Sequence, residues 1–110
     1  MTKYMVLYRS STPASEQMSN VTPEQSQAVM EGWMTWAGKA GSALVDLGSP
    51  LQSVGSVGKG GSGGQPIGGF SILEADSVDA LKKVLDGHPH FMSPGDNSIE
   101  ILEFLPVPGM

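Results

Sequence analysis

The sequence predicts an α+β fold, an antiparallel sheet carrying two helices, on three observations. Stretches rich in β-branched and aromatic residues alternate with two capped helical patterns in the order strand, helix, strand or hairpin, strand, helix, strand. Three of the strands carry apolar residues on both faces, whereas two helices can cover only one face of a sheet. Most of the excess among the fifteen glycines sits between Gly55 and Gly69, outside the regular elements.

Lys3 to Arg9, KYMVLYR, places Tyr4, Val6 and Tyr8 on one face and Met5 and Leu7 on the other, the pattern of a central strand. Ser10 to Val21 is polar and aperiodic and reads as a loop. Thr22-Pro23-Glu24-Gln25 then starts a helix: Thr22 caps it, Pro23 takes the first helical position where its missing N–H costs nothing, and Gln25 closes a capping box. The helix runs to about Ala40, with Val29, Met30, Trp33, Met34, Trp36, Ala37 and Ala40 as a broad apolar stripe and Gly41 as its stop.

Ser42 to Val57 reads as a bent hairpin or bulged pair: a short strand ending at Asp46 or Leu47, a Gly-Ser-Pro turn, and a weak second strand through Leu51 to Val57. Gly58 to Pro66 is a flexible glycine-rich connection by composition. Ile67 to Ala75 is a strand with Phe70 and Ile72 on one face and Ser71, Leu73 and Ala75 on the other. Asp76 or Ser77 caps the second helix, whose buried stripe is Val78, Leu81, Val84 and Leu85. Gly87 stops it, and Pro89 forces His88 out of helical backbone. Ser93 to Asn97 is a turn, Ser98 to Leu105 the last strand, and Pro106 begins an extended tail.

This order is the split βαβ plan, a ferredoxin-like βαββαβ sandwich formed by residues 1–110 as a single domain. The apolar residues on the uncovered face predict a partner, and a two-fold homodimer through the open sheet face is the economical one.

Composition narrows the function classes. A chain of 110 residues buries roughly 60 to 70% of its unfolded surface, enough for one core without staples. The absence of cysteine removes disulfides and thiolate metal sites, and with no apolar leader a reducing cytoplasm is the expected location. No apolar run approaches the ~20 residues of a membrane span. A net charge of -5 with scattered cations argues against nucleic acid. Gly58 to Gly63 fits G-x-G-x-x-G, but no strand-to-helix unit surrounds it, so no dinucleotide site is expected; Gly58-Lys59 lacks the rest of a P-loop.

With these elements in place the chain resembles the YCII-related domain proteins of the dimeric α/β-barrel superfamily along essentially its whole length. The residues that carry the resemblance are KYMVLYR at Lys3, TPEQ at Thr22, the helix of Trp33 and Trp36, LVDLGSPL at Leu44, GGFSILEADSVDAL at Gly68, GHPHF at Gly87 and IEILEFLPVPGM at Ile99. The resemblance implies a ferredoxin-like protomer and a homodimer whose sheets enclose a barrel-like interior. It also implies, where chemistry is proposed, a His and Asp pair working without metal or organic cofactor, among relatives that include isomerases and lyases. The DGPF signature of one large branch is missing, with glycine-rich sequence in its place.

Both histidines, His88 and His90, flank Pro89 after a helix end, where the helix carboxyl terminus favours a protonated imidazole. One reading makes either of them a general acid or base for a small organic metabolite, with Asp46 orienting it. A second makes them turn residues satisfied by the backbone, in a noncatalytic ligand-binding or accessory dimer. A third, a metal held by His-x-His with Asp46 or Asp96, lacks a third ligand fixed by the sequence, so no metal and no cofactor are assigned. Tyr8 and Arg9 at the strand end, and Trp33 and Trp36 three residues apart, are the candidates to contact a ligand.

Overall fold

The computed structural model describes residues 2–11, 22–59, 66–92 and 96–108. Four strands, β1 (Thr2–Ser10), β2 (Leu44–Pro50), β3 (Ile67–Ala75) and β4 (Asn97–Glu103), form one sheet in the order β2-β3-β1-β4, every neighbouring pair antiparallel. Two helices, α1 (Pro23–Ala40) and α2 (Val78–Leu85), complete the ferredoxin-like βαββαβ order. The molecule measures 49 × 39 × 20 Å, its short dimension matching two layers of secondary structure.

Register explains how the layers meet. Tyr4 stands opposite Leu73, Val6 opposite Ser71 and Tyr8 opposite Gly69, and residues directly opposite share a face. That face packs Tyr4, Val6, Tyr8, Leu73 and Ala75 against Trp36 and Ala40 of α1 and Leu81 and Leu85 of α2. The alternate residues Met5, Leu7, Phe70 and Ile72 face the other way and stay half-buried, with Leu102 opposite Met5 exposed beside them.

The helix starts follow the sequence. Thr22 Oγ1 accepts the Gln25 amide at 3.1 Å while the Thr22 amide donates to Gln25 Oε1 at 2.9 Å. Ser77 caps α2 by accepting the Ala80 amide at 3.1 Å.

Four expectations need correction. Val78, expected in the buried stripe of α2, is exposed at the first turn, leaving Leu81, Val84 and Leu85 to face the core. The stripe of α1 is buried only in its second half: Trp36 and Ala40 are enclosed and Trp33 and Ala37 partly so, while residues 23–31 are exposed throughout and Val29, Met30 and Met34 face solvent. An apolar stripe marks what a helix can bury, and here the sheet and α2 reach only its carboxyl half. Gly48-Ser49-Pro50 does not turn; β2 runs through it with register shifts on either side of Asp46. Gly48 adopts φ +82°, and a Cβ there would collide with the Phe70 carbonyl, so only glycine lets the two backbones approach this closely. Leu51 adds one more rung through its amide to Gly68 O at 2.9 Å, but residues 51–57 form no second strand. Finally, β4 stops at Glu103, two residues before Leu105.

The expected loop from Ser10 to Val21 lies almost wholly outside the described residues, as do residues 60–65 of the glycine-rich segment and residues 93–95 of the following turn.

Candidate functional site

The corner after α2 is built from its own backbone. Gly87 takes φ +71°, the left-handed conformation that ends the helix, and the His88 amide reaches back to Leu85 O at 3.1 Å. Pro89 then opens a single 3₁₀ turn, Pro89–Met92, in which the Phe91 amide donates to His88 O at 3.1 Å. The Pro89 ring lies under Gly32 of α1, where an added Cβ would meet its Cβ at 3.6 Å. The corner therefore sits beneath the middle of α1.

Hydrogen bonding fixes the protons on both imidazoles. The His90 amide donates to His88 Nδ1 at 3.0 Å, so the neutral His88 ring carries its proton on Nε2. His90 Nε2 lies 2.9 Å from Arg9 O and 3.1 Å from Ser98 O; both partners are acceptors, so this nitrogen carries the proton of His90. Arg9 and Ser98 are register partners on β1 and β4, and His90 clasps those two strands at their ends.

His88 is enclosed by rings. Its centroid lies 4.2 Å from Trp36, 4.6 Å from Trp33 in an edge-to-face arrangement, and 5.0 Å from Tyr8. Two of these walls are pinned. The Trp36 indole donates to Val84 O at 3.0 Å, tying α1 to α2, and the Tyr8 hydroxyl donates to Ser71 Oγ at 2.7 Å, which donates in turn to Leu47 O at 2.6 Å. Burial pushes the Tyr8 phenol up to about 12, with the Ser71 bond pulling it partly back. Burial also drives His88 down to about 3, assisted by the charge of His90. The helix end that argued for a protonated imidazole is outweighed at His88 by its complete burial.

The sequence-derived candidates thus separate into two groups. Tyr8, Trp33, Trp36, His88 and His90 come together between α1 and the sheet. Arg9 and Asp46 stand elsewhere. The Arg9 guanidinium lies 3.5 Å from Glu100 Oε2, and Glu100 is opposite Leu7, which places the pair on the open face. Asp46 is exposed on the edge strand β2, where its Oδ1 accepts the Gly48 amide at 2.8 Å, and no hydrogen bond joins it to either imidazole. Asp96 holds the loop by its backbone, receiving the Ser11 amide at 3.1 Å and donating to Ser11 Oγ at 3.0 Å. Among the described residues no three His, Asp or Glu side chains group as metal ligands.

Ser71 was not singled out from the sequence, although the signal was there. It has the same strand parity as Leu73 and Ala75, which marks a polar group that must be hydrogen-bonded in the core.

No family model matches this chain, and no curated protein does. Among solved structures it is similar to the 5-chloro-2-hydroxyhydroquinone dehydrochlorinase TftG from Burkholderia phenoliruptrix AC1100, determined in complex with 2,5-dihydroxybenzoquinone. That match has 16% identity and a TM-score of 0.47, covering 88% of this chain and 90% of that one. It is also similar to a dimeric ferredoxin-like protein of unknown function from Thermobifida fusca YX, at 15% identity and a TM-score of 0.45, covering 93% of this chain and 89% of the other. At such identities the likeness is one of fold.

Proposed function

We propose that the chain works as a homodimer of the YCII-related, dimeric α/β-barrel type, joined through its open sheet face, and that it binds a small organic molecule without transforming it. The observation that carries the noncatalytic reading is the hydrogen bond from the His90 amide to His88 Nδ1. A general base needs a free lone pair, and the one on neutral His88 is engaged by the protein itself. His90 holds its Nε2 proton against two main-chain carbonyls, and Asp46 serves its own bend in β2. An isomerase or lyase in which His88 or His90 moves a proton with help from Asp46 would need these bonds to be remade. Tyr8, Trp33, Trp36 and His88 are the residues assigned to the ligand.

The open face supports the dimer. Its centre is the apolar square Met5, Leu7, Phe70 and Ile72, and its ends carry Lys3 opposite Glu74 and Arg9 paired with Glu100. An apolar centre within a charged rim is the anatomy of a protein interface. Around it Leu102, Phe104, Leu105 and Val107 add exposed apolar surface.

Sedimentation equilibrium tests the assembly: the expected mass is twice 11.5 kDa, falling to one chain in Phe70→Glu. A wild-type protein that sediments as a monomer ends the dimer reading. Histidine ¹⁵N spectra test the chemistry, with His88 expected as the Nε2–H tautomer and untitrated between pH 5 and pH 8, since its pKa is lowered to about 3. A His88 that titrates near neutrality restores the proton-transfer alternative.

A further inference from the structure

Among the described residues, the Nε2–H of His88 is a fully buried polar atom of the aromatic cluster left unanswered. His88 is 0% exposed, and this nitrogen has no hydrogen-bond partner among the described residues. A buried donor without an acceptor is disfavoured relative to the same donor in water, and an oxygen supplied from outside would relieve it.

The three walls around the donor are unequal. Trp36 is fixed by its indole bond to Val84 O and Tyr8 by its hydroxyl bond to Ser71. The Trp33 indole has no protein acceptor among the described residues, and its side chain is only partly buried. It stands at the boundary of α1 where enclosure ends: Val29, Met30 and Met34, one turn away or adjacent on the same stripe, are exposed. Among the described residues, Trp33 is thus the one ring wall whose side chain can move without breaking a hydrogen bond of its own.

We infer that the Nε2–H of His88 is the polar anchor of a ligand pocket between α1 and the sheet, opened by displacement of the Trp33 indole, and that its ligand is a small, flat, uncharged molecule presenting a carbonyl or ether oxygen. Flatness follows from walls that are themselves rings at 4.2 to 5.0 Å from the imidazole. Neutrality follows from the surroundings: the one guanidinium, Arg9, points to Glu100 on the other face and the His90 imidazole is committed to two main-chain carbonyls, so among the described residues no cation is aimed at a buried anion here. The requirement for an acceptor follows from the tautomer, because Nδ1 already receives the His90 amide and only a donor remains. This inference rests on the ligand-binding reading above and names the place and chemical class of the ligand; it does not depend on the dimer.

Paired probes of one shape test it: indan-1-one, which carries a carbonyl, and indane, which does not. Binding is followed by tryptophan fluorescence and by the ¹⁵N and ¹H shifts of His88 Nε2–H in the full-length protein. The expected result is about ten-fold tighter binding of indan-1-one, the worth of one buried hydrogen bond, with a shift of the His88 resonance caused by that probe alone. Trp33→Ala, which leaves the donor in place and removes the movable wall, is expected to strengthen binding of both probes and keep the difference. His88→Phe is expected to abolish the difference. Equal affinities for the two probes, or no binding of either up to its solubility limit in both wild type and Trp33→Ala, overturn the inference. The mass of the same sample separates the two readings: a dimer that binds neither probe loses the pocket and keeps the assembly, and a monomer that binds indan-1-one does the reverse.

Discussion

The two faces of one sheet make different use of the same strands. On the helix side, β1 and β3 present Tyr4, Val6, Tyr8, Ser71 and Leu73, all buried, and the Tyr8 and Ser71 hydroxyls and the His90 imidazole there are tied into relays ending on main-chain carbonyls. On the other side the alternate residues Met5, Leu7, Phe70 and Ile72 are just as apolar yet only half-covered, and the polar groups are full charges at the rim. Neutral polar atoms tolerate a dry layer when each finds a partner, whereas charges persist where water or a closely matched opposite charge is at hand. The helix face is an interior complete but for the His88 donor. The open face has the composition of an interior whose second half belongs to another molecule.

The comparison breaks most visibly when a leucine is lost from the helix side. Leu73→Ala is expected to cost about 3 kcal/mol in urea unfolding at any protein concentration, because its site is fully enclosed. Ile72→Ala, its neighbour on the open side, is expected to cost about 1 kcal/mol when the chain is dilute and more as concentration rises. Equal, concentration-independent costs would make the two faces equivalent.

Acid sharpens the contrast next. The folded-state pKa of His88 lies near 3, below its unfolded value of about 6.5, so the unfolded chain takes up the proton first. Stability from this group is whole above pH 6.5 and falls by at most about 1.4 kcal/mol per pH unit down to about pH 3. Unfolding curves of wild type and His88→Phe at several pH values check this, and parallel pH dependence in the two would remove His88 from the account. The smallest effect belongs to the rim. Glu100→Ala is expected to change monomer stability by only a few tenths of a kcal/mol, since its pair with Arg9 is long and its own side chain is 47% exposed. A loss of several kcal/mol in dilute protein would mean that this rim is already an interior.

Much of the frame was legible in the residues. Alternation in KYMVLYR and GGFSILEA set both faces of the central strands, and Thr22, Ser77 and Gly87 punctuated the helices, because these signals act within a few residues of themselves. What escaped was non-local. Gly48 reads as a turn until the Phe70 carbonyl, twenty-two residues on, shows that it is a close approach within a strand. The stripe of α1 gives no hint that the layer beneath ends at Trp33. His88, between a glycine and a proline, looks like a surface corner, and its burial comes from two tryptophans more than fifty residues earlier. The pairing of Asp46 with a histidine was inferred from the family resemblance and from acid–base chemistry, neither of which fixes a distance, and the backbone of β2 holds that carboxylate.

The clasp at His90 has a consequence for motion. Its ring proton is held by carbonyls on two strands, Arg9 on β1 and Ser98 on β4, and its amide is held by the ring of His88. Fraying of β4 at its first residues would release the imidazole, and with it the amide, although that amide belongs to a short 3₁₀ turn that would ordinarily breathe on its own. Exchange of the His90 amide is thereby tied to the opening of a strand pair, whereas access to the His88 ring beside it depends on the Trp33 indole.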